Sequence, residues 1–427
     1  MQTDGDPAGH TVATMSQQAT TYRALFAVGE FRRLWLAHVL SVAGDQLARV
    51  ALTVLVYDRT ASAGLAALTY AVSYVPDLVG GAVLAGVADR YSRRTVMVVT
   101  DVARAVVVAA MTVPGMPLAG QVALLVVVQL LAAPFAAARQ AALPDILDGD
   151  ALVIGLGVIS MTYQAGLVLG FGAGAAVVAW LGTSGALWVD AATFLISALL
   201  IRLGLRAHRP DRATAGAATQ GRWATITGGW RLVAASPRLR VLLLIACCSG
   251  FYVVPEGLAV PMAGQIQAGT AAVGWLLAAN PVGTVLGMVI LKRVAPKRRL
   301  ALLGPLAVAS SLVLLPTAWQ PSLLVLVLLW TASGAFSAHD MVTQATYVAE
   351  VPAAQRGQAV GVAIAALRAA QGLGIVVSGL VAQLLTPALV IGLAAVLGTV
   401  VAAVAWGAWS RTTSSPAGAV PDDRTGR

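Results

Sequence analysis

The sequence predicts an all-α integral membrane protein, with twelve transmembrane helices in two six-helix bundles. Three observations lead there. The 427 residues are 58% hydrophobic and only 11% charged, with a mean hydropathy of +0.82, whereas a soluble domain carries about 25% charged residues. Apolar runs of the roughly 20 residues needed to cross a hydrocarbon core about 30 Å thick recur along the whole chain. Basic residues gather in every second connecting loop, as they do when those loops face the cytoplasm. A soluble enzyme, a coiled coil or a disordered scaffold is excluded as a description of the whole chain.

The chain opens with a polar tail, residues 1–29. Its first 22 residues lack an apolar h-region, so no cleaved signal peptide is expected. Apolar spans follow at 34–57, 64–88, 95–113, 118–140, 151–181 and 184–204. Short joints rich in Gly, Pro and Ser, such as Pro114–Pro117 and Leu181–Gly185, separate them. A polar connector over 205–238 comes next, then spans at 239–261, 270–292, 299–319, 321–346, 357–384 and 387–409, and a tail over 410–427. The connector thus divides the chain into an N-terminal bundle, 30–204, and a C-terminal bundle, 239–409. Each half carries a basic loop after its second span, Asp89–Arg94 and Lys292–Arg299. This internal repeat is the pattern of secondary transporters that bind between two halves. Within the connector, Trp223–Arg240 mixes Trp with Arg, which predicts an amphipathic helix along the membrane surface.

Loop charge gives the orientation. Arg32 and Arg33, Arg90, Arg93 and Arg94, Arg139, the arginines of the connector, Lys292–Arg299, Arg356 and Arg411 fall on one side, and Arg59 alone falls on the other. Both termini are therefore expected in the cytoplasm, which an even number of spans also requires. The net charge of +10 follows from these loops and needs no nucleic-acid partner. Two of the 28 basic residues are Lys, and Ala, Val, Leu and Gly dominate the chain, as in a GC-rich bacterial genome. Cys247 and Cys248 are adjacent in an apolar run and read as packing residues.

Six plus six spans, a cytoplasmic middle connector and a DRxxRR loop after the second span resemble the major facilitator superfamily. The similarity covers roughly residues 30–409. Within it, Phe31–Leu52, Gly86–Ala105, Ala138–Leu152 and Gln355–Gly374 are similar to the bacterial branch that exports siderophores, macrolides and other drugs. Two small-residue positions depart from the loop motif, Ala85 and Ser92 standing where glycine is usual. The resemblance implies a conformational role for Asp89, Arg90, Arg93 and Arg94, with Asp89 capping the start of the eleventh span near Gly357 and biasing the protein between outward-open and inward-open states. A solvated positive-inside loop is the alternative.

Gly166, Gly170 and Gly174 recur every four residues in the fifth span, with Gly172 between them. They share a helix face and allow a close helix contact. They are similar to the glycine signature of family exporters, although Phe171 stands where that signature has Pro. Plain helix packing is the other reading.

Charges inside the spans are costly, roughly 2.5–3.5 kcal/mol each near the bilayer centre, so each should pair, hold a proton or face water. Asp45 and Arg49 are spaced i,i+4, and Asp101 and Arg104 i,i+3, so each pair can close on its own helix. Asp77, Glu256 and Asp340 have no basic partner one turn away. Burial favours the neutral form of a carboxyl group, so Asp45, Asp77, Glu256 and Asp340 are the proton-coupling candidates. Asp190 is expected near the outer interface. Arg49, Arg104, Arg368, Tyr74 and Tyr163 are candidates to line a substrate cavity. The tryptophans near span ends, including Trp35, Trp180, Trp188, Trp319, Trp406 and Trp409, read as interfacial belts.

The sequence holds no P-loop string and no nucleophile-elbow string, and its four histidines are scattered. No cofactor or metal is expected, and no covalent chemistry. The resemblance implies a monomeric, multi-pass protein of the bacterial inner (plasma) membrane that works among lipids, with a small molecule and protons as partners. The expected activity is proton-coupled efflux of a small hydrophobic compound, such as a drug, antibiotic or siderophore, by alternating access. A proton-coupled importer of a metabolite and a non-transporting sensor or scaffold on the same fold remain alternatives.

Overall fold

The computed structural model describes residues 22–74, 91–206, 222–352 and 355–414. Its elements are α1 Tyr22–Ala27, α2 Gly29–Thr60, α3 Ala63–Ala71 with a 3₁₀ turn Val72–Tyr74, α4 Arg93–Ala110, α5 Leu118–Ile146 and α6 Gly149–Gly204. The connector helix α7 is Arg222–Ala235. Beyond it lie α8 Pro237–Cys247, α9 Ser249–Tyr252, α10 Val254–Gly257, α11 Ala259–Gln265, α12 Gly269–Lys292, α13 Pro296–Leu312 with a 3₁₀ turn Leu315–Trp319, α14 Leu323–Ser337, α15 His339–Glu350, α16 Arg356–Val381 and α17 Pro387–Ser414. Among the described residues, nine helical stretches are long and apolar enough to cross a membrane.

The expected spans map onto these elements with physical reasons for each difference. One stretch, Ile154–Gly204, runs for 51 residues. At 1.5 Å per residue it would be about 75 Å long, far more than one bilayer. It breaks at Gly182, whose φ of 69° and ψ of 175° suit glycine and almost nothing else, and that break separates the fifth and sixth expected spans. α4 carries Arg93, Arg94, Asp101 and Arg104 within 18 residues, so it falls outside the nine. The second expected span is described as far as Tyr74; its remainder, with Asp77, Asp89 and Arg90, lies outside the described residues.

The seventh span is built from four pieces, α8 to α11. Pro255 and Pro261 lack the N–H that an unbroken helix needs, and the chain turns at Val253 and Leu258, where Glu256 N–H donates to the Val253 carbonyl over 3.0 Å. The tenth span is likewise interrupted at Ala338, between α14 and α15. Glu256 and Asp340 therefore both sit where a span is broken.

Glycine sets the closest helix contacts. A Cβ at Gly170 would lie 2.7 Å from the Gln46 Cβ, and Gly166 and Gly174 similarly admit Val42 and Leu47 of α2. Gly172 has open space at its Cβ position, but its own carbonyl lies beside Gly274 of α12. In the second half, Gly283 and Gly287 of α12 meet the backbone of Thr331 and Ala335, and Gly334 of α14 meets that of Asn280. Such backbone-to-backbone approach is how helices associate in lipid, where apolar burial supplies no drive.

The two halves touch along a seam. Phe171, Gly172 and Ala175 of α6 pack on Gly274 of α12; Gly64 and Ala67 of α3 pack on Gly379 of α16 and Gln383 just beyond it; Tyr57 of α2 packs on Gly264 of α11. These contacts cluster near the ends of α2, α11 and α16 and the starts of α3 and α12, which is the end of the bundle away from Tyr22 and Ser414. The connector helix does more than rest on a surface: Gly229 of α7 lies against Gln358 and Val362 of α16.

Candidate functional site

Six expected or neighbouring side chains meet just below the closed end of the seam. The Tyr70 hydroxyl on α3 donates to Glu256 Oε2 on α10 over 2.8 Å, joining the halves. The Arg49 guanidinium lies over the Tyr70 ring at 5.3 Å and the Phe171 ring at 5.8 Å. Arg368 of α16 lies 5.8 Å from the Tyr74 ring and donates to Gln371 Oε1 over 3.0 Å. The charges of Arg49 and Arg368 both act on Glu256. Cation–π contacts of this kind contribute about 0.5–2 kcal/mol, most where water is excluded. Tyr70 is 1% exposed and Tyr74 8%, so the cluster is sealed on that side. Tyr163 is more open and lies within electrostatic range of Arg49 and Tyr74.

A second cluster fills the N-terminal half. Arg104 of α4 pairs with Asp45 of α2, donates to Ser41 Oγ over 3.1 Å and stands 3.6 Å from Asp101. Its guanidinium lies 4.0 Å from the Phe194 ring. Ser197 donates to Asp101 over 2.5 Å. Asp190 is fully buried against Gly44, with neither carboxylate oxygen hydrogen-bonded. Arg139 of α5 contacts His38 of α2.

Two sequence expectations change here. Asp45 does not close on Arg49 four residues away; its partner is Arg104 on another helix, while Arg49 turns to the aromatic rings. Asp190 does not reach the interface; the Cβ-free face of Gly44 lets its carboxyl group pack inside. The Asp101–Arg104 pair does form within α4. Among the tryptophans, Trp180 and Trp319 are 86% and 78% exposed, but Trp409 is buried at 6% and Trp35 donates to Thr162 over 2.8 Å.

Asp340 lies apart from both clusters, in the first turn of α15. Its Oδ2 accepts from Tyr252 over 2.5 Å and its Oδ1 is 3.5 Å from His339 Nε2. Arg93 of the loop motif pairs with Asp145 at the end of α5. No group of three or more His, Cys, Asp or Glu able to hold a metal occurs among the described residues.

Sequence reasoning missed Tyr70, and singled out Phe171 only as the residue in place of Pro in the glycine signature. Tyr70 stands one helical turn before Tyr74, a spacing that would have placed both rings on one face. Nothing in the sequence marked Tyr70 as the partner of an acid 186 residues away.

The model of the Major Facilitator Superfamily matches residues 34–262, more than half of the chain. The chain belongs to the major facilitator superfamily. The fold is accordingly the all-helical membrane-transporter fold of that superfamily, and the protein is a transporter of this kind. The multidrug efflux pump Tap of Mycolicibacterium fortuitum is 28% identical over 352 residues, covering 78% of this chain and 84% of that protein. Among solved structures, the nucleoside transporter NupG superposes with a TM-score of 0.71 at 14% identity, over 89% of this chain and 100% of that one. A bacterial homolog of the human lysosomal transporter Spinster, inward-facing and unoccupied, superposes with a TM-score of 0.65 at 16% identity, over 90% of this chain and 97% of that one. A POT family transporter in complex with 5-aminolevulinic acid gives 0.69 at 10% identity, over 90% and 96%.

Proposed function

We propose that this facilitator exports a small hydrophobic compound in exchange for protons, by rocking its two bundles, 30–204 and 239–409, around the seam. The observation that carries this reading is Glu256, an embedded acid on a broken span, bonded to Tyr70 of the opposite half beneath the closed end. With both termini in the cytoplasm, as the loop charges favour, the closed end faces outward and this conformation opens inward. Outward opening parts Glu256 from Tyr70 and exposes it to the outside, where it loads a proton. Closing brings Tyr70 and Arg49 back to the acid, beside Arg368 of its own half, and displaces the proton inward. The same seam contact thus links proton exchange to the conformational change, which alternating access requires. The similarity to Tap supports a drug as the cargo and efflux as the direction. Asp45, with Asp77 further along the second span, is a further proton-coupling candidate. The Asp89–Arg94 loop is assigned a conformational role at the cytoplasmic end. The transporter is placed in the inner membrane as a monomer.

The test uses inside-out vesicles energised to an acidic, positive interior, a panel of hydrophobic drugs and siderophores, and a pH-sensitive dye. Export predicts proton leakage triggered by one compound and lost in Glu256→Gln. Leakage unchanged in Glu256→Gln would move the proton to Asp45, Asp77 or Asp340. Saturable uptake into whole cells, with no drug-triggered leakage, would replace the exporter by an importer.

A further inference from the structure

A cavity of about 100 Å³ lies in the C-terminal half between α8, α15 and α16, away from the seam cluster. Leu243 and Leu367 give it an apolar wall, and Asp340, Thr343, Gln344 and Tyr347 supply polar groups. No Lys or Arg lines it. The titratable groups around Asp340 are Tyr252 of α9, His339 of α15 and the thiols of Cys247 and Cys248. Tyr252 satisfies one carboxylate oxygen; Oδ1 has no hydrogen-bond partner, and neither has His339 Nε2. With one donor and His339 Nε2 at 3.5 Å, Asp340 is less compensated than Asp45, which has Arg104, or Glu256, which has Tyr70 with two arginines nearby; Asp190 has no hydrogen bond either.

We infer that this cavity is a subsite for a protonated amine bearing a small apolar group, with Asp340 as its counter-ion. An ammonium supplies the missing cation and donors in a region of low dielectric, where such a pair is strong. The apolar wall takes up the carbon skeleton next to it. The size admits an amine-bearing arm of a larger molecule rather than a whole drug. An anion is excluded by the carboxylate, and a neutral alcohol of the same shape gains only the apolar contacts. The inference rests on the transporter reading for its physiological meaning, but binding is read without transport.

The experiment titrates fluorobenzylamine and fluorobenzyl alcohol into the full-length protein in lipid nanodiscs, followed by fluorine NMR line broadening. A hydrogen-bonded ion pair here should make the amine bind at least ~10-fold more tightly than the alcohol, since charged hydrogen bonds contribute about 1.5–3 kcal/mol. In Asp340→Asn the preference should vanish while alcohol binding persists, which also reports that the variant is folded. Ala363→Phe, which fills the cavity and keeps the acid, should weaken both probes. Equal binding of amine and alcohol to the native protein would show that His339 or a proton already neutralises Asp340, and would overturn the inference. A preference that survives Asp340→Asn, or binding unchanged in Ala363→Phe, would also overturn it. Asp340-dependent binding together with absent vesicle transport would refute the exporter and leave the subsite standing.

Discussion

Replacing Tyr70 by Phe tests the seam at a single hydrogen bond. Phe keeps the ring beneath the Arg49 guanidinium and beside Phe171, whose centroid is 6.4 Å away. It removes the 2.8 Å bond to Glu256. A hydrogen bond to a charged group contributes about 1.5–3 kcal/mol, and 1.4 kcal/mol is a factor of ten, so opening of the closed end should become roughly 10- to 100-fold more frequent. A cysteine at Ala67, fully buried against Gly379 across the seam, reads that frequency. When reclosing outpaces alkylation, the labelling rate is proportional to the open population, however small that population is. The assay compares labelling by a membrane-impermeant maleimide in Ala67→Cys and Ala67→Cys/Tyr70→Phe. Both carry Cys247→Ser and Cys248→Ser, so any effect of the reporter itself cancels. A rate within twofold of the parent would refute the claim that this bond holds the halves together. Independent unfolding is checked by the labelling of a second buried cysteine, at Ala307 of α13, which should stay unchanged.

Other outcomes follow from the same geometry. In the Ala67→Cys reporter, external acid should speed labelling, because a neutral carboxyl accepts a weaker hydrogen bond than a carboxylate; Glu256→Gln should make the rate independent of pH. Arg104→Met strands Asp45 and Asp101 without their cation, and breaking a buried pair costs about 3–5 kcal/mol, so the melting temperature in detergent should fall sharply. Adding Asp45→Asn should restore part of it, and a strictly additive double variant would contradict the pairing. Gly170→Leu should abolish recovery of monodisperse protein, since even a Cβ there would lie 2.7 Å from Gln46. Gly172→Ala, with open space at that position, should be recovered at native levels in the same size-exclusion measurement.

Much of the architecture was legible because membrane helices are local objects. Each backbone polar group must be satisfied within its own segment, so length and hydropathy mark a span with no knowledge of its neighbours. The Gly166, Gly170 and Gly174 row was legible for the same reason: a four-residue spacing fixes a helix face, and α2 occupies that face. The fifth and sixth spans read as separate because Gly182 lies in a Gly-rich joint, and the break falls there. The Asp101–Arg104 pair was readable as one turn of one helix.

What a single helix could not announce was which partner its charges would choose. Asp45 had an arginine four residues away and took Arg104 from another helix, because the rotation of α2 against α4 sets which guanidinium is nearer and what else surrounds it. Arg49, released from that pair, settled over Tyr70 and Phe171. Asp190 looked interfacial by depth, yet Gly44 on a neighbouring helix opened room for it inside. The Tyr70–Glu256 bond joins residues of opposite halves, and no periodicity encodes a contact of that range. Local hydropathy and spacing define the membrane-spanning helices, their Gly faces and the embedded acids and arginines, with no reference to how the helices pack. The tertiary structure alone decided the pairings, the seam and the cavity beside Asp340, since Coulombic and hydrogen-bond energies depend on distances that only packed helices define.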